Sequence, residues 1–383
     1  MHKNIYTRTI VKLIEKWLDA PEIIILIGAR QVGKSTLMQI LLQNGLKINI
    51  LNCENPIVAD ILQSRNTNEI RSLFGEENTV VALDEAQDIP NIGKILKLIY
   101  DDKKVKHKII ATGSSSFDLS TKVGEPLTGR NLKFNLYPLS IDEIMQGKQW
   151  LEMLELLPSL LIYGAYPGII DLPIDEKTKK LLTLSSDYLF KDIYKFEQVR
   201  NPEILRKLVK ALALQIGNLV SVNELANLCG TSTITIERYL DLLEKSFVIF
   251  KLGSFSKNLR NELKKSRKYY FYDLGIRNAV LNNFVRLEQR TDIGALWENF
   301  CIVEYMKTLE YAGQSSNLYF WRTYDGAEID LIEEREGKLY TFEFKWNENK
   351  KASLPKSFSE KYAVEEFTVI NRRNFNKLVK LHQ

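Results

Sequence analysis

The 383-residue sequence predicts an α/β protein, with a parallel sheet in its first part and a second α/β domain in its last. Three observations predict this. An apolar run, Ile23 to Ile27, leads through a glycine-containing loop into an amphipathic helix. A second apolar run ends in two acids, Asp84 and Glu85. Near the C-terminus, strand candidates carry Glu328-Ile329-Asp330 and Glu343-Phe344-Lys345 after a helix that holds Glu298.

The run Ile23 to Ile27 is what a central parallel strand covered on both faces requires. Gly28, Ala29, Arg30, Gln31, Val32, Gly33, Lys34, Ser35 and Thr36 follow it with the spacing G-x-x-x-x-G-K-[ST]. Glycines let such a loop wrap so that backbone N–H groups converge on phosphate oxygens. The lysine adds a positive charge, and the serine offers a hydroxyl to Mg²⁺. The next helix, apolar at Leu37, Ile40 and Leu41, points its positive dipole end at the same phosphates. The phosphates of a nucleotide, with Mg²⁺, are the expected ligand.

Composition is that of an ordinary globular protein, 45% hydrophobic and 26% charged. A net charge of +5 is compatible with a nucleic-acid partner without establishing one. Cys53, Cys229 and Cys301 lie far apart and form no ligand spacing with His2, His107 or His382, which argues against zinc and against a disulfide framework. The N-terminus has no long apolar core of a signal peptide. The uncharged stretch Leu156 to Ile170 is too short to span a bilayer and is broken by Pro158 and Pro167. No membrane association and a cytoplasmic location are expected.

Tyr6 to Leu18 reads as a helix with Ile10, Leu13, Ile14 and Trp17 on one face, with Arg8 near the nucleotide; Lys47 to Cys53 is a second strand candidate. In TVVALDEAQ, Thr79 to Gln87, the acids sit where a parallel sheet presents its ligand-binding edge. Asp84 can hold Mg²⁺ through water, and Glu85 can orient and deprotonate the attacking water, which argues for hydrolysis; solvated acids at a strand end are the alternative. A helix, Ile92 to Tyr100, leads to the strand Lys108 to Ser115. Its Ser114 and Ser115 are candidate sensors of the γ-phosphate, or simply a turn. Arg130 precedes the strand Leu132 to Leu139. It is either a surface arginine or a group that stabilises a transferring phosphoryl, from its own or a neighbouring subunit, so a homo-oligomer stays open.

The series GARQVGKST, LDEAQ, ATGSSSF and LTGRNLKFNLYPLS resembles a large bacterial and archaeal family of AAA+ type ATPases with a C-terminal domain of unknown function. YGAYPG (163–168), YLFKDIY (188–194), YFYDLGIRNAV (270–280) and FWRTYDGAEIDLI (320–332) are similar to further motifs of that family. The resemblance implies a five-stranded parallel P-loop ATPase core with Arg130 as its arginine finger. The chain departs from the family at Leu51-Asn52, where relatives often carry an acid.

Asp142 to about Val199 reads as a helical lid or connector. Beyond it, SVNELANL opens with a capping box, Ser221 and Glu224, and Gly230 separates it from a helix with Ile236, Leu240 and Leu243 inward: a helix-turn-helix shape. The strands Phe247 to Phe255 and Lys268 to Asp273 bracket Lys257, Arg260, Lys264, Lys265 and Arg267, as in a winged helix with a basic wing, and Thr233, Thr235 and Arg238 face outward. Such a module either touches phosphates or serves only for packing. Further on, Glu343 and Lys345 share one face of a strand that Asp330 on the neighbouring strand can meet. The set Glu298, Asp330, Glu343 and Lys345 resembles the PD-(D/E)XK nuclease signature. The resemblance implies a restriction-endonuclease-like domain in which carboxylates, Asp330 and Glu343 foremost, hold Mg²⁺ and Lys345 activates water. A nuclease-like fold kept as a binding module is the alternative.

Four domains are expected: an AAA+ P-loop domain over 1–140, a lid over 141–199, a winged helix over 200–285 and a nuclease-like domain over 286–383. The combined reading is an ATP hydrolase coupled to a C-terminal half that acts on nucleic acid, DNA before RNA. A nucleotide-dependent signalling or defence switch whose C-terminal half binds a protein partner is the other reading.

Overall fold

The run Ile23–Ile27 is β1, buried at all five positions, and it lies inside a sheet as its composition predicts. The computed structural model describes residues 5–114, 127–188, 201–256 and 267–379. The chain divides into two units. One comprises Met1–Leu139, Lys195–Glu197 and Lys245–Phe247, the other Ser140–Tyr194, Gln198–Glu244 and Val248–Gln383.

In the first unit β1 is joined by β2 (Ile48–Asn52), β3 (Val80–Asp84), β4 (Lys108–Gly113) and β5 (Asn131–Asn135) in the order β2-β3-β4-β1-β5. Every pairing is parallel. The helix Lys34–Gln43 buries Leu37, Met38, Ile40 and Leu41, and the helix Ile92–Asp101 buries Ile92, Ile95, Leu96 and Ile99, each set at three-to-four-residue spacing. The helix Pro56–Ser64 starts where Asn55 caps it, its side chain accepting from the Ile57 N–H, with Pro56 at the first helical turn. Because all strands run one way, the ends of β1, β3 and β4 share one edge, while the first residue of β5, level with Ile23, lies at the other. The fifth strand is shorter than its apolar pattern: the last ladder bond runs from the Leu136 N–H to the Ile27 carbonyl, and Pro138 has no N–H to extend it.

In the second unit β6 (Leu219–Val220), β7 (Ile249–Ser254), β8 (Arg267–Phe271), β9 (Asn317–Arg322), β10 (Glu328–Arg335), β11 (Lys338–Phe344) and β12 (Glu366–Ile370) form one sheet in the order β12-β11-β10-β9-β7-β8-β6. The helices Val222–Cys229 and Thr233–Lys245 are joined at Gly230, whose φ of 66° suits glycine, and Ser221 caps the first of them through the Glu224 N–H. Strands from the helix-turn-helix region and from the C-terminal segment thus meet in a single ladder, at the parallel pairing of β7 with β9. The helix Ile293–Tyr311 buries Trp297, Cys301 and Tyr305. Phe255, Trp321, Ile329, Ile332, Leu339 and Phe358 form a core cluster. No helix among the described residues is long and apolar enough to cross a membrane.

Candidate functional site

The loop after β1 is shaped by close approach and by one left-handed turn. A Cβ on Gly28 would run into the Leu136 carbonyl, so only glycine fits beside β5. Gly33, at φ 100°, caps the helix Lys34–Gln43 in a conformation that side chains resist. Gln31 also takes a positive φ, 62°. Val32 and Ala29 are buried and anchor the loop, whereas Gln31, Ser35 and Thr36 are exposed and Arg30 is half-buried. Buried Arg8 braces the loop from behind, donating to the Val32 carbonyl at 2.7 Å and to the Tyr137 carbonyl at 2.7 Å. It touches the loop backbone rather than the open face.

Lys34 is buried, its ammonium donating to the Gly28 and Ala29 carbonyls at 3.0 and 3.1 Å, so it lies across the mouth of the loop. Ser35 Oγ donates to Asp84 Oδ2 at 2.7 Å, and Thr112 Oγ1 donates to Asp84 Oδ1. This hydroxyl and carboxylate fit Mg²⁺, which in phosphate sites keeps several waters and takes only one or two protein groups. Glu85 occupies the left-handed region at φ 54°, a strained placement for a glutamate. Its carboxylate accepts from Gln87 Nε2 and its backbone N–H reaches Thr112 Oγ1 at 3.3 Å. Ser114 is buried, its N–H 3.4 Å from Gln87 Oε1, and its hydroxyl finds no partner among the described residues. Ser115 lies outside them. Burial, and then the field of Asp84, Asp88 and Glu85, pushes the Cys53 thiol up to about 12. The structure therefore brings together Gly28 to Thr36, Asp84, Glu85 and Ser114. Thr112 and Gln87, which lie in ATGSSSF and LDEAQ without a role assigned from sequence, join them.

Arg130 stands apart. Its carbonyl accepts from the Ile23 N–H at 2.9 Å, at the edge of the sheet away from the loop. The length of β1, about 16 Å, separates the two. Its guanidinium donates to Asp101 at 3.2 Å and lies over the Tyr100 ring.

The second cluster forms in the second unit. Lys345 pairs with Glu343, and Asp330 Oδ2 accepts from the Phe344 N–H at 2.8 Å. Burial, followed by Glu298 and Glu343, holds the Asp330 carboxyl well above its usual range. Glu298 accepts from Lys268 Nζ at 2.9 Å and from Tyr270 OH at 2.6 Å, and Lys268 also reaches Glu328 at 2.6 Å. Burial alone would lower the Lys268 ammonium, but Glu298 and Glu328 outweigh it and raise it. The three acids and Lys345 that sequence order grouped are thus electrostatic neighbours, and Lys268, Tyr270 and Glu328 belong with them. These residues do not fit an open divalent site. One oxygen each of Glu298, Asp330 and Glu343 is engaged by a protein cation or an N–H or O–H donor, and among the described residues no group of three or more His, Cys, Asp or Glu is arranged to hold a metal.

On the helix-turn-helix, Thr233 and Arg238 are exposed and Thr235 half-buried. Arg267 is engaged by Glu237 at 2.8 and 2.9 Å. Lys257, Arg260, Lys264 and Lys265 lie outside the described residues.

Residues 20–145 match the family described as an AAA domain, residues 154–286 a domain of unknown function (DUF8612), and residues 293–380 another (DUF4143). An uncharacterized protein of Mycobacterium tuberculosis is 27% identical over 336 residues, 87% of this chain and 72% of that one. An uncharacterized protein of Haemophilus influenzae is 27% identical over 342 residues, covering 84% and 82%. Among solved structures, the Walker-type ATPase PABY2304 of Pyrococcus abyssi is similar in fold, with a TM-score of 0.51 at 17% identity, over 72% of this chain and 96% of that one.

Proposed function

We propose that the first unit binds ATP with Mg²⁺ and hydrolyses it, that 141–199 serves as a lid or connector, and that the C-terminal half engages nucleic acid, DNA before RNA. The observation that carries the first part is the Ser35–Asp84–Thr112 arrangement, which joins the loop helix to the ends of β3 and β4 on one edge. Ser35 and Asp84 would hold Mg²⁺ there, and the ion would supply charge neutralisation at the phosphate oxygens. The loop N–H groups hold the phosphates, and Lys34 turns from the Gly28 and Ala29 carbonyls to phosphate oxygen. Asp84 orients the ion's waters. Glu85, steered by Gln87, accepts the proton of the attacking water. Ser114 offers its hydroxyl to the γ-phosphate. Losing the Lys34 charge in Lys34→Ala should weaken ATP binding about 10- to 100-fold and remove turnover. Equilibrium nucleotide titration and phosphate release measure both, and a parent protein without Mg²⁺-dependent ATPase activity sinks the reading.

In the second half, the helix-turn-helix and its strands, 200–285, read as a winged helix, and 286–383 as a PD-(D/E)XK-like region. The engaged carboxylates support a nuclease-like region that binds nucleic acid rather than one that cuts it. Since Glu237 already holds Arg267, Lys264 and Lys265 are among the wing cations left for phosphate contacts. Replacing both lysines with glutamine should weaken binding of all DNA sequences alike and flatten the salt slope by about 0.9 per lost contact, with Arg267→Gln leaving the slope alone. An unchanged slope in the lysine double variant, measured by fluorescence anisotropy, would make the wing a packing element. No DNA binding even at low salt would favour the switch that binds a protein partner.

A further inference from the structure

The charge that a nuclease-like centre would take from a metal ion is present inside this protein already. Glu298, on the helix Ile293–Tyr311, and Glu328, on β10, converge on one group, the ammonium of Lys268. Its side chain is only 1% exposed, and its two bonds, 2.9 and 2.6 Å, pair it with both carboxylates from within. Tyr270, two residues along β8 and therefore on the same face, donates to the same Glu298 oxygen. Arg322 approaches Glu328 from β9 at 3.5 Å. The remaining two acids are engaged as well, Asp330 by the Phe344 N–H and Glu343 by Lys345.

We propose that Lys268 is a built-in cation that takes the place of a divalent metal between Glu298 and Glu328, so that the carboxylate cluster of the native protein binds no divalent ion. The proposal rests on reading the cluster as a nuclease-like centre. An ammonium carries one charge and three fixed donors, and it satisfies two carboxylates without needing the oxygen shell of six that Mg²⁺ demands. A divalent ion at the same oxygens would face the buried ammonium at close range, and no solvent screens that repulsion where Lys268 is enclosed. Lys268 therefore acts on the cluster as a positioning residue. With Tyr270 it is carried by β8, whose other face presents Arg267 to Glu237 of the helix Thr233–Lys245. The strand thus ties the helix-turn-helix to the carboxylates through ion pairs on both sides.

The test is Mn²⁺ binding to the full chain without nucleotide, read by electron paramagnetic resonance of free Mn²⁺ and by the Mn²⁺-dependent shift in melting temperature. Every protein compared carries Asp84→Asn, which removes the carboxylate at the phosphate loop. The chain with Lys268 intact should bind no Mn²⁺ and melt at the same temperature with or without it. Lys268→Met should gain one Mn²⁺ per chain and be stabilised by it, and the gain should vanish when Glu298→Gln and Glu328→Gln are added. Should Lys268→Met fail to fold, Lys268→Gln, whose amide still donates to a carboxylate, serves in its place. Mn²⁺ bound with Lys268 intact, and lost on Glu298→Gln with Glu328→Gln, overturns the proposal while leaving the nuclease-like reading in place. Folded lysine variants that bind no Mn²⁺ overturn both.

Discussion

Glu85→Gln protein is expected to bind ATP with parental affinity and to hydrolyse it about 10²–10⁴-fold more slowly. The substitution keeps the shape and an acceptor oxygen for Gln87, and glutamine meets the left-handed backbone at φ 54° no worse than glutamate does. Lys34, Ser35 and Asp84 are untouched, so the groups that hold phosphates and Mg²⁺ remain. What disappears is the Glu85 carboxylate, which accepts from Gln87, whereas that of Asp84 is bonded to hydroxyls of the loop and of β4. Titration with a fluorescent ATP analogue and steady-state phosphate release separate the two effects. A parental rate in Glu85→Gln would remove Glu85 as the base, and loss of binding would show that it holds the nucleotide instead.

Much of the first unit could be read locally. A loop that must wrap around phosphates needs its residues within nine consecutive positions, and the strand and helix on either side show in the apolar pattern. Asp84 and Glu85 were visible for the same reason, as acids closing an apolar run. Thr112 was not. It completes the bonding of Asp84 from 28 positions away, and a threonine inside a strand reads as an ordinary β-branched filler. Gln87 was hidden likewise, because only the fold turns its amide toward Glu85 and toward the Ser114 N–H.

The second unit was legible in order but not in connection. Glu298, Asp330, Glu343 and Lys345 stood out through the sequence of helix acid, strand acid and E-x-K. Lys268 lay 30 positions before Glu298, on a strand whose positive charges suggested a basic wing, and nothing local says that its side chain turns inward. The motifs YGAYPG and YFYDLGIRNAV were recognised by resemblance alone, and their reason is steric. Side chains on Gly164 and Gly275 would collide with the Asp273 carboxylate and the Tyr163 carbonyl, while Asp273 accepts from the Ala165 and Ile276 N–H groups. These stretches lock two loops together. They need no ligand to explain them.

Arg130→Ala protein is expected to lose ATPase activity about 10³–10⁵-fold, and to recover part of it when mixed with Lys34→Ala protein. The arginine lies a full strand length from its own phosphate loop, farther than its side chain reaches, so any phosphoryl group that it touches belongs to a neighbouring copy. Its partner in the single chain, Asp101, holds it only weakly. The two side chains are 34% and 46% exposed, and a pair so wet is worth at most about 1 kcal/mol, little against a phosphoryl group developing charge. In the mixture a Lys34→Ala copy has an intact Arg130 but an idle loop, and an Arg130→Ala copy has an intact loop but no arginine. Activity can return only where the first abuts the second. Differently tagged copies, pulled down together before the assay, establish that they assemble. Co-assembly without recovery, or parental activity in Arg130→Ala alone, would reduce Arg130 to a surface residue paired with Asp101.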